Sequence, residues 1–167
     1  MSRPLLTLCL ALSAAHPSPQ VAVGQWRDHF PYRRTIAVAE GANGEAWCAT
    51  KTGVFRYDPN TSEIEKYTKV KALSDVSIRS IAWCDALQRL VVGYDNGNLD
   101  LLGHEGSRNM SDIKRSSIQG DKGINHIRFE GSTAYLGCGF GIVVVDLVTL
   151  EVRETWLIGP SGTQLAV

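Results

Sequence analysis

The chain repeats itself every 44 residues, and few architectures accept such a repeat. Segments 45–58, 89–102 and 133–146 align without a gap about Gly53, Gly97 and Gly141. Six residues before each glycine stand Trp47, Val91 and Tyr135, and four before stand the tiny Ala49, Gly93 and Gly137. Two after stand Phe55, Leu99 and Val143, and four after stand Tyr57, Leu101 and Val145. Each unit reads as a β-hairpin with the glycine in its turn, most plainly at Asp95-Asn96-Gly97-Asn98. The four offsets share parity, which predicts that they line one face of the hairpin. The glycine is expected at positive φ, and the tiny residue is expected where a neighbouring backbone comes close.

A third strand precedes each hairpin, at 35–39, 79–84 and 125–130, with Ile36, Ile81 and Ile127 as the recurring residues. A fourth follows the first hairpin at 63–67 and the third at 151–156. In the second unit the polar stretch 103–111 reads as a loop, which places the fourth strand near 112–118. Four antiparallel strands in about 40–50 residues is the signature of a β-propeller blade. Leu90-Val91-Val92 and Ile142–Val145 are apolar on both faces, as a strand sandwiched between two blades requires. The fold expected is all-β: an incomplete β-propeller of about three four-stranded antiparallel blades, at about 34–68, 78–118 and 124–157. Three blades do not close a ring. The chain therefore reads as the N-terminal portion of a larger propeller, with a complete small β-sandwich as the competing architecture.

Residues 1–19 read as a secretory signal peptide: Arg3 precedes an apolar run from Leu5 to Ala15, and Ser13-Ala14-Ala15 supplies the small residues of a cleavage site. The remaining 20–167 form the propeller portion. Cleavage would remove Cys9 and leave Cys48, Cys84 and Cys138, an odd number whose spacing fits no metal site. They read as small buried apolar residues. The chain of 167 residues carries 17 Lys+Arg and 17 Asp+Glu, without the basic excess of a nucleic-acid binder. No apolar run reaches the roughly 18 residues of a membrane-spanning helix.

The hairpin at 45–58 resembles the repeat of the two-component regulator propeller family, roughly W-x-G-T-x-x-G-[LV]-x-x-[YF]-D. Trp47, Thr50, Gly53, Val54, Tyr57 and Asp58 match it, and Ala49 replaces the usual glycine. The second unit departs at Val91 and Leu102; the third keeps Gly137, Gly141 and Asp146 but has Tyr135 for the tryptophan. The opening 24–41, with Trp26-Arg27-Asp28-His29, and the link Leu73-Ser74-Asp75-x-x-Ile78 resemble the PorZ family of type IX secretion components from Bacteroidetes. That resemblance covers about residues 24–165. It implies an exported, non-catalytic propeller at the periplasm or outer-membrane cell surface. Its partners would be other secretion or attachment complex proteins, with anionic lipopolysaccharide or an oligosaccharide as further ligands. The alternative it leaves open is the periplasmic ligand-sensing propeller of a hybrid two-component regulator.

No catalytic, cofactor or metal residue is assigned. His16, His29, His104 and His126 are scattered and form no ligand pair at helical spacing. Gly137-Cys138-Gly139-Phe140-Gly141 lacks the third glycine of a dinucleotide fingerprint, and a strand follows it. Asp95–Asp100 has oxygen ligands but no EF-hand glutamate. Arg33-Arg34 and Lys114-Arg115 read as solvated surface pairs. Trp47 and Trp83 read as packing residues, and Trp26 as the most plausible exposed aromatic. The expectation is a protein that is not an enzyme and needs no cofactor.

Overall fold

A computed structural model describes residues 30–158. The predicted leader at 1–19 lies outside that range, with Cys9 and His16, as do Trp26 and His29. The described residues form three four-stranded antiparallel sheets. The first comprises β1 (Thr35–Glu40), β2 (Ala46–Thr50), β3 (Gly53–Asp58) and β4 (Glu63–Thr68). The second comprises β5 (Ile78–Cys84), β6 (Arg89–Tyr94), β7 (Leu99–Gly103) and β8 (Gly106–Met110). The third comprises β9 (Ile124–Glu130), β10 (Thr133–Cys138), β11 (Gly141–Asp146) and β12 (Glu151–Leu157). Strands adjacent in each sheet are adjacent in sequence. The sheets meet through their first strands, β1 against β5 and β5 against β9. This is an incomplete β-propeller of three blades. Among the described residues no helix is long and apolar enough to cross a membrane.

The fourth strand of the second blade is not at 112–118. It is β8, inside the stretch read as a loop, and Asp112–Arg115 is a single helical turn, α1. β8 is an edge strand whose residues are exposed except Met110, so it lacks the apolar pattern that reveals a strand. The innermost column is also displaced, by two residues in the first blade. Val38 pairs with Cys48 as Ile81 pairs with Val92 and Ile127 with Leu136, so Val38, not Ile36, is the counterpart of the two isoleucines.

The hairpins differ although their sequences align. In the first blade Thr50 pairs with Gly53 across the two-residue loop Lys51-Thr52, and in the third Cys138 pairs with Gly141 across Gly139-Phe140. In the second the last pair is Gly93 with Leu99, and Gly97 lies inside the longer turn at φ +80. The expected one-face grouping therefore holds only in the second blade, where Val91 opposes Leu101 and Gly93 opposes Leu99. In the other two, parity flips: Trp47 opposes Arg56 and Tyr135 opposes Val144. Nor is Gly53 at positive φ. A Cβ there would lie 2.7 Å from the ring of Phe30 and 3.0 Å from the Tyr67 carbonyl, so close approach requires the glycine.

Two apolar layers hold the stack. Trp47, Ala49, Val54, Tyr67 and Leu73 of the first blade and its exit pack against Ile78, Ile81, Leu90, Val92, Tyr94 and Leu102 of the second. The opposite face of the second blade, Val91, Leu99, Leu101 and Met110, packs against Ile127, Ala134, Leu136, Val143 and Val145 of the third. β6 is thus buried on both faces from Leu90 to Tyr94. Each such aliphatic side chain contributes about 1.5–3 kcal/mol. Cys84 and Cys138 are buried, Cys48 is half-buried, and all three thiols are free.

Candidate functional site

A buried polar cluster lies between the first two blades. Cross-strand register makes it: Trp47, Arg56 and Glu65 oppose one another on β2, β3 and β4 and so share the face turned to the second blade. The Arg56 guanidinium lies 5.9 Å from the centre of the Trp47 ring. Its Nη1 donates to Glu45 Oε1 at 2.8 Å, and its Nη2 to Glu65 Oε2 at 3.1 Å. Tyr67 Oη donates to the same Glu65 oxygen at 2.8 Å. From the second blade, Trp83 stacks on Trp47 with ring centres 5.9 Å apart, and His104 Nδ1 stands 3.4 Å from Arg56 Nη1. Glu45 Oε2, Trp47 Nε1, Arg56 Nε and Trp83 Nε1 are buried without a hydrogen-bond partner within the described residues.

Burial pushes the Glu65 carboxyl up, but the Tyr67 hydroxyl, Arg56 and Lys71 outweigh it and hold it below its ordinary value. Burial, then the bond to Glu65, raises the Tyr67 phenol well above its own. Beside the cluster opens a cavity of about 580 Å³ lined by Arg56, Glu63, Ile64, Glu65, Lys66, Thr68 and Lys71. Its size suits a small molecule, yet its walls carry charges of both signs, unlike the largely apolar lining of most small-molecule sites.

A second polar network ties the loops at the other end of the blades. Asp100 is fully buried and accepts from Tyr94 Oη at 2.6 Å, Ser74 N at 2.8 Å and Asn109 Nδ2 at 2.8 Å. Asp75 accepts from Lys114 Nζ at 2.6 Å, Asn96 Nδ2 at 2.7 Å and Val76 N at 2.9 Å. Burial alone would raise the Asp75 pKa; these donors overcome it and hold the carboxyl at about 2. A run of ion pairs then crosses from blade to blade: Lys51 to Asp95 at 3.5 Å, Asp95 to Arg79 at 3.7 Å, and Arg79 to Asp121 at 3.0 Å. Lys51 and Asp95 sit one repeat apart, so the hairpin turn of the first blade grips that of the second.

The remaining residues singled out by sequence stay apart. His126 is exposed on β9, and Arg33 and Arg34 are exposed in a 3-10 turn. Lys114 is engaged by Asp75, and Arg115 by Asp112 at 3.0 Å. Asp95–Asn98 and Gly139-Phe140 are turns. Among the described residues no group of three or more His, Cys, Asp or Glu could hold a metal ion. Trp47 and Trp83 pack between blades, whereas Trp156 is exposed. Sequence reasoning missed Arg56.

No curated protein matches the chain. Among solved structures, PorZ, an essential bacterial surface component of the type-IX secretion system of Porphyromonas gingivalis, superposes with a TM-score of 0.68 at 27% identity over 74% of this chain. The extracellular domain of the hybrid two component system BT4673 from B. thetaiotaomicron gives a TM-score of 0.61 at 15% identity over 73% of this chain and 16% of its own length. Apo AztD from Citrobacter koseri gives 0.56 at 13% identity over 78% of this chain and 35% of its own. The last two likenesses speak to the fold alone. The chain spans 17% of the length of the PorZ structure. The profile of the TSS9, PorZ, N-terminal beta-propeller domain matches residues 47–167, and the chain belongs to that family.

Proposed function

We propose that the chain is a non-catalytic propeller component of a type IX secretion and cell-surface attachment complex, exported and displayed at the outer-membrane surface. The family match over residues 47–167 carries the reading. The polar chemistry supports a scaffold. Asp75 and Asp100 are saturated by hydrogen bonds, and Asp146 accepts from Val148 N and Arg153. These carboxylates fix turns and blade contacts. The partners under this reading are other proteins of the complex, with anionic lipopolysaccharide as a further ligand. The test is affinity purification of the tagged chain from its native envelope with quantitative mass spectrometry. Enrichment of the type IX sortase machinery supports the reading; its absence from a correctly exported protein defeats it.

The fold shared with the BT4673 extracellular domain leaves one alternative open, a ligand-sensing propeller. Titration calorimetry with envelope oligosaccharides separates the two, since a sensor binds one stoichiometrically in the absence of any secretion partner.

A further inference from the structure

Asparagine is followed by glycine twice in the chain, at Asn43-Gly44 and Asn96-Gly97. Such a pair is chemically weak, because glycine has no side chain to shield its own backbone nitrogen from the asparagine amide before it. The fold treats the two pairs differently. Asn43-Gly44 lies in the connection between β1 and β2, in a turn closed by Glu45 N donating to Ala42 O at 3.1 Å. Both residues are exposed. Asn43 has φ 56 and ψ 26 and Gly44 has φ +78, left-handed conformations that asparagine and glycine adopt most readily. The Asn43 side chain forms no hydrogen bond among the described residues. A Cβ built on Gly44 would meet Pro59 Cγ at 4.0 Å, an ordinary contact.

Asn96-Gly97 is held in place. Asn96 is half-buried; its Nδ2 donates to Asp75 Oδ2 at 2.7 Å, and its Oδ1 accepts from Asn98 N at 3.0 Å. Gly97 is buried, and its nitrogen donates to Tyr94 O at 3.2 Å. A Cβ there would stand 2.9 Å from Ile113 Cγ2 and 3.1 Å from Lys122 Cβ. Swinging the Asn96 amide toward Gly97 N breaks both of its side-chain bonds. The same movement at Asn43 requires only that the turn leave ψ 26, with no side-chain bond to break.

We propose that Asn43 is a site of covalent modification, spontaneous deamidation to aspartate and isoaspartate, from which the fold shields Asn96. The deprotonated Gly44 nitrogen attacks Asn43 Cγ. A bond from that nitrogen to Cγ forms, the bond from Cγ to the side-chain nitrogen breaks, and ammonia leaves with a proton taken from water. Water then opens the resulting five-membered imide. Cleavage between Gly44 N and Cγ leaves aspartate. Cleavage between Gly44 N and the main-chain carbonyl carbon of Asn43 leaves isoaspartate, whose backbone is one carbon longer. Either product adds a negative charge two residues from Glu45, the carboxylate that Arg56 Nη1 holds at 2.8 Å. Isoaspartate also lengthens the connection that sets Ala39 opposite Trp47. The modification thus bears on the Trp47–Arg56 cluster between the first two blades. The inference is independent of the secretion reading.

The test incubates the whole chain at mildly alkaline pH, folded in buffer and unfolded in concentrated urea, with circular dichroism confirming each state. Peptide mapping by mass spectrometry follows both asparagines, and isoaspartyl methyltransferase labels the isoaspartate. In the folded chain Asn43 should convert at least about tenfold faster than Asn96, the factor that about 1.4 kcal/mol of added opening cost gives. In urea the two rates should converge, because the shielding is lost. Asn43→Gly keeps a residue suited to positive φ and should remove the early acidic species on ion exchange without changing the circular dichroism. Equal rates in the folded chain, Asn96 converting first, or an acidic species undiminished in Asn43→Gly would each overturn the proposal. So would an Asn43 left intact in buffer over the time that completes its conversion in urea.

Discussion

Gly93 tests most directly whether the tiny residue of the repeat is set by blade spacing. It lies on β6 where β9 crosses behind it. A Cβ built there would stand 2.8 Å from both Cβ and Cγ2 of Ile124 and 2.8 Å from Ser80 Oγ. Ile124 Cβ is fixed by its own backbone, so a single added methyl must move the third blade outward or twist β6. The same displacement threatens the bond from Ser80 Oγ to the Ile124 carbonyl, 2.7 Å long and buried. Overpacking of this kind costs about 1–3 kcal/mol, and the lost bond adds about 0.5–1.5 kcal/mol. Gly93→Ala should therefore destabilise the chain by about 2–4 kcal/mol, and lower Tm by about 5–15 °C at this size. Ala49 holds the same place in the first blade with its methyl already accommodated. Ala49→Gly should therefore cost only the lost burial of one methyl, about 1 kcal/mol. Removing the Ser80 hydroxyl in a Ser80→Ala, Gly93→Ala double variant should recover little, because Ile124 is untouched. Urea unfolding followed by tryptophan fluorescence gives the three differences. If Gly93→Ala falls within about 0.5 kcal/mol of wild type, the column is not a spacing constraint and the reasoning fails.

Three further outcomes follow from the polar contacts and the thiols. Asp75 has its pKa lowered to about 2, so the stability it contributes is full above the ordinary carboxylate range near pH 4 and is lost as the pH falls toward 2. Because Lys114 is partly in water, that stability is about 1–2 kcal/mol, and Asp75→Asn should flatten the acid limb of a Tm-versus-pH curve between those values. Arg56→Met leaves the buried Glu45 carboxylate without its cation and should cost about 3–5 kcal/mol in chemical unfolding. Adding Glu45→Gln should return part of it. Burial pushes the Cys138 thiol up to about 12, so at pH 8 Cys138 should resist iodoacetamide in the folded chain and react only on unfolding, read by mass spectrometry. Half-buried Cys48 should label first.

What the sequence disclosed was whatever the spacing of blades imposes on side-chain size. Trp47 and Val91 lie on the same strand of their blades, facing the next blade, and Gly93 occupies the close crossing of β6 with the third blade. These positions are constrained by two neighbours at once, so their character recurs. β8 escaped because four of its five residues are exposed. Gly106, Ser107, Arg108 and Asn109 are exposed, and only backbone pairing with β7 makes the segment a strand. Edge strands of this kind carry polar residues that discourage pairing with other chains, which is the composition of a loop.

The candidate site escaped for a different reason, the length of a turn. If the hairpin closing β2 and β3 were built like that of β6 and β7, Trp47 would share its face with Phe55 and Tyr57, as the offsets alone imply. The two-residue loop Lys51-Thr52 instead opposes Thr50 to Gly53, and every later residue of β3 changes face. Thr50 holds that loop shut: its hydroxyl accepts from Gly53 N at 3.2 Å and donates to Gly53 O at 3.0 Å. In the second blade the corresponding residue is Tyr94, which has no such hydroxyl beside the turn and whose phenol is drawn away to Asp100. The two-residue loop thus decides that a guanidinium, rather than a phenyl ring, lies against Trp47 and brings Glu45, Glu65 and His104 together. The same loop length in the third blade sets Val144 against Tyr135, where the first blade sets Arg56 against Trp47. The pairing of Arg56 with Trp47 and that of Val144 with Tyr135 are therefore two results of a single backbone choice. It is combined with Arg56 in one blade and Val144 in the other.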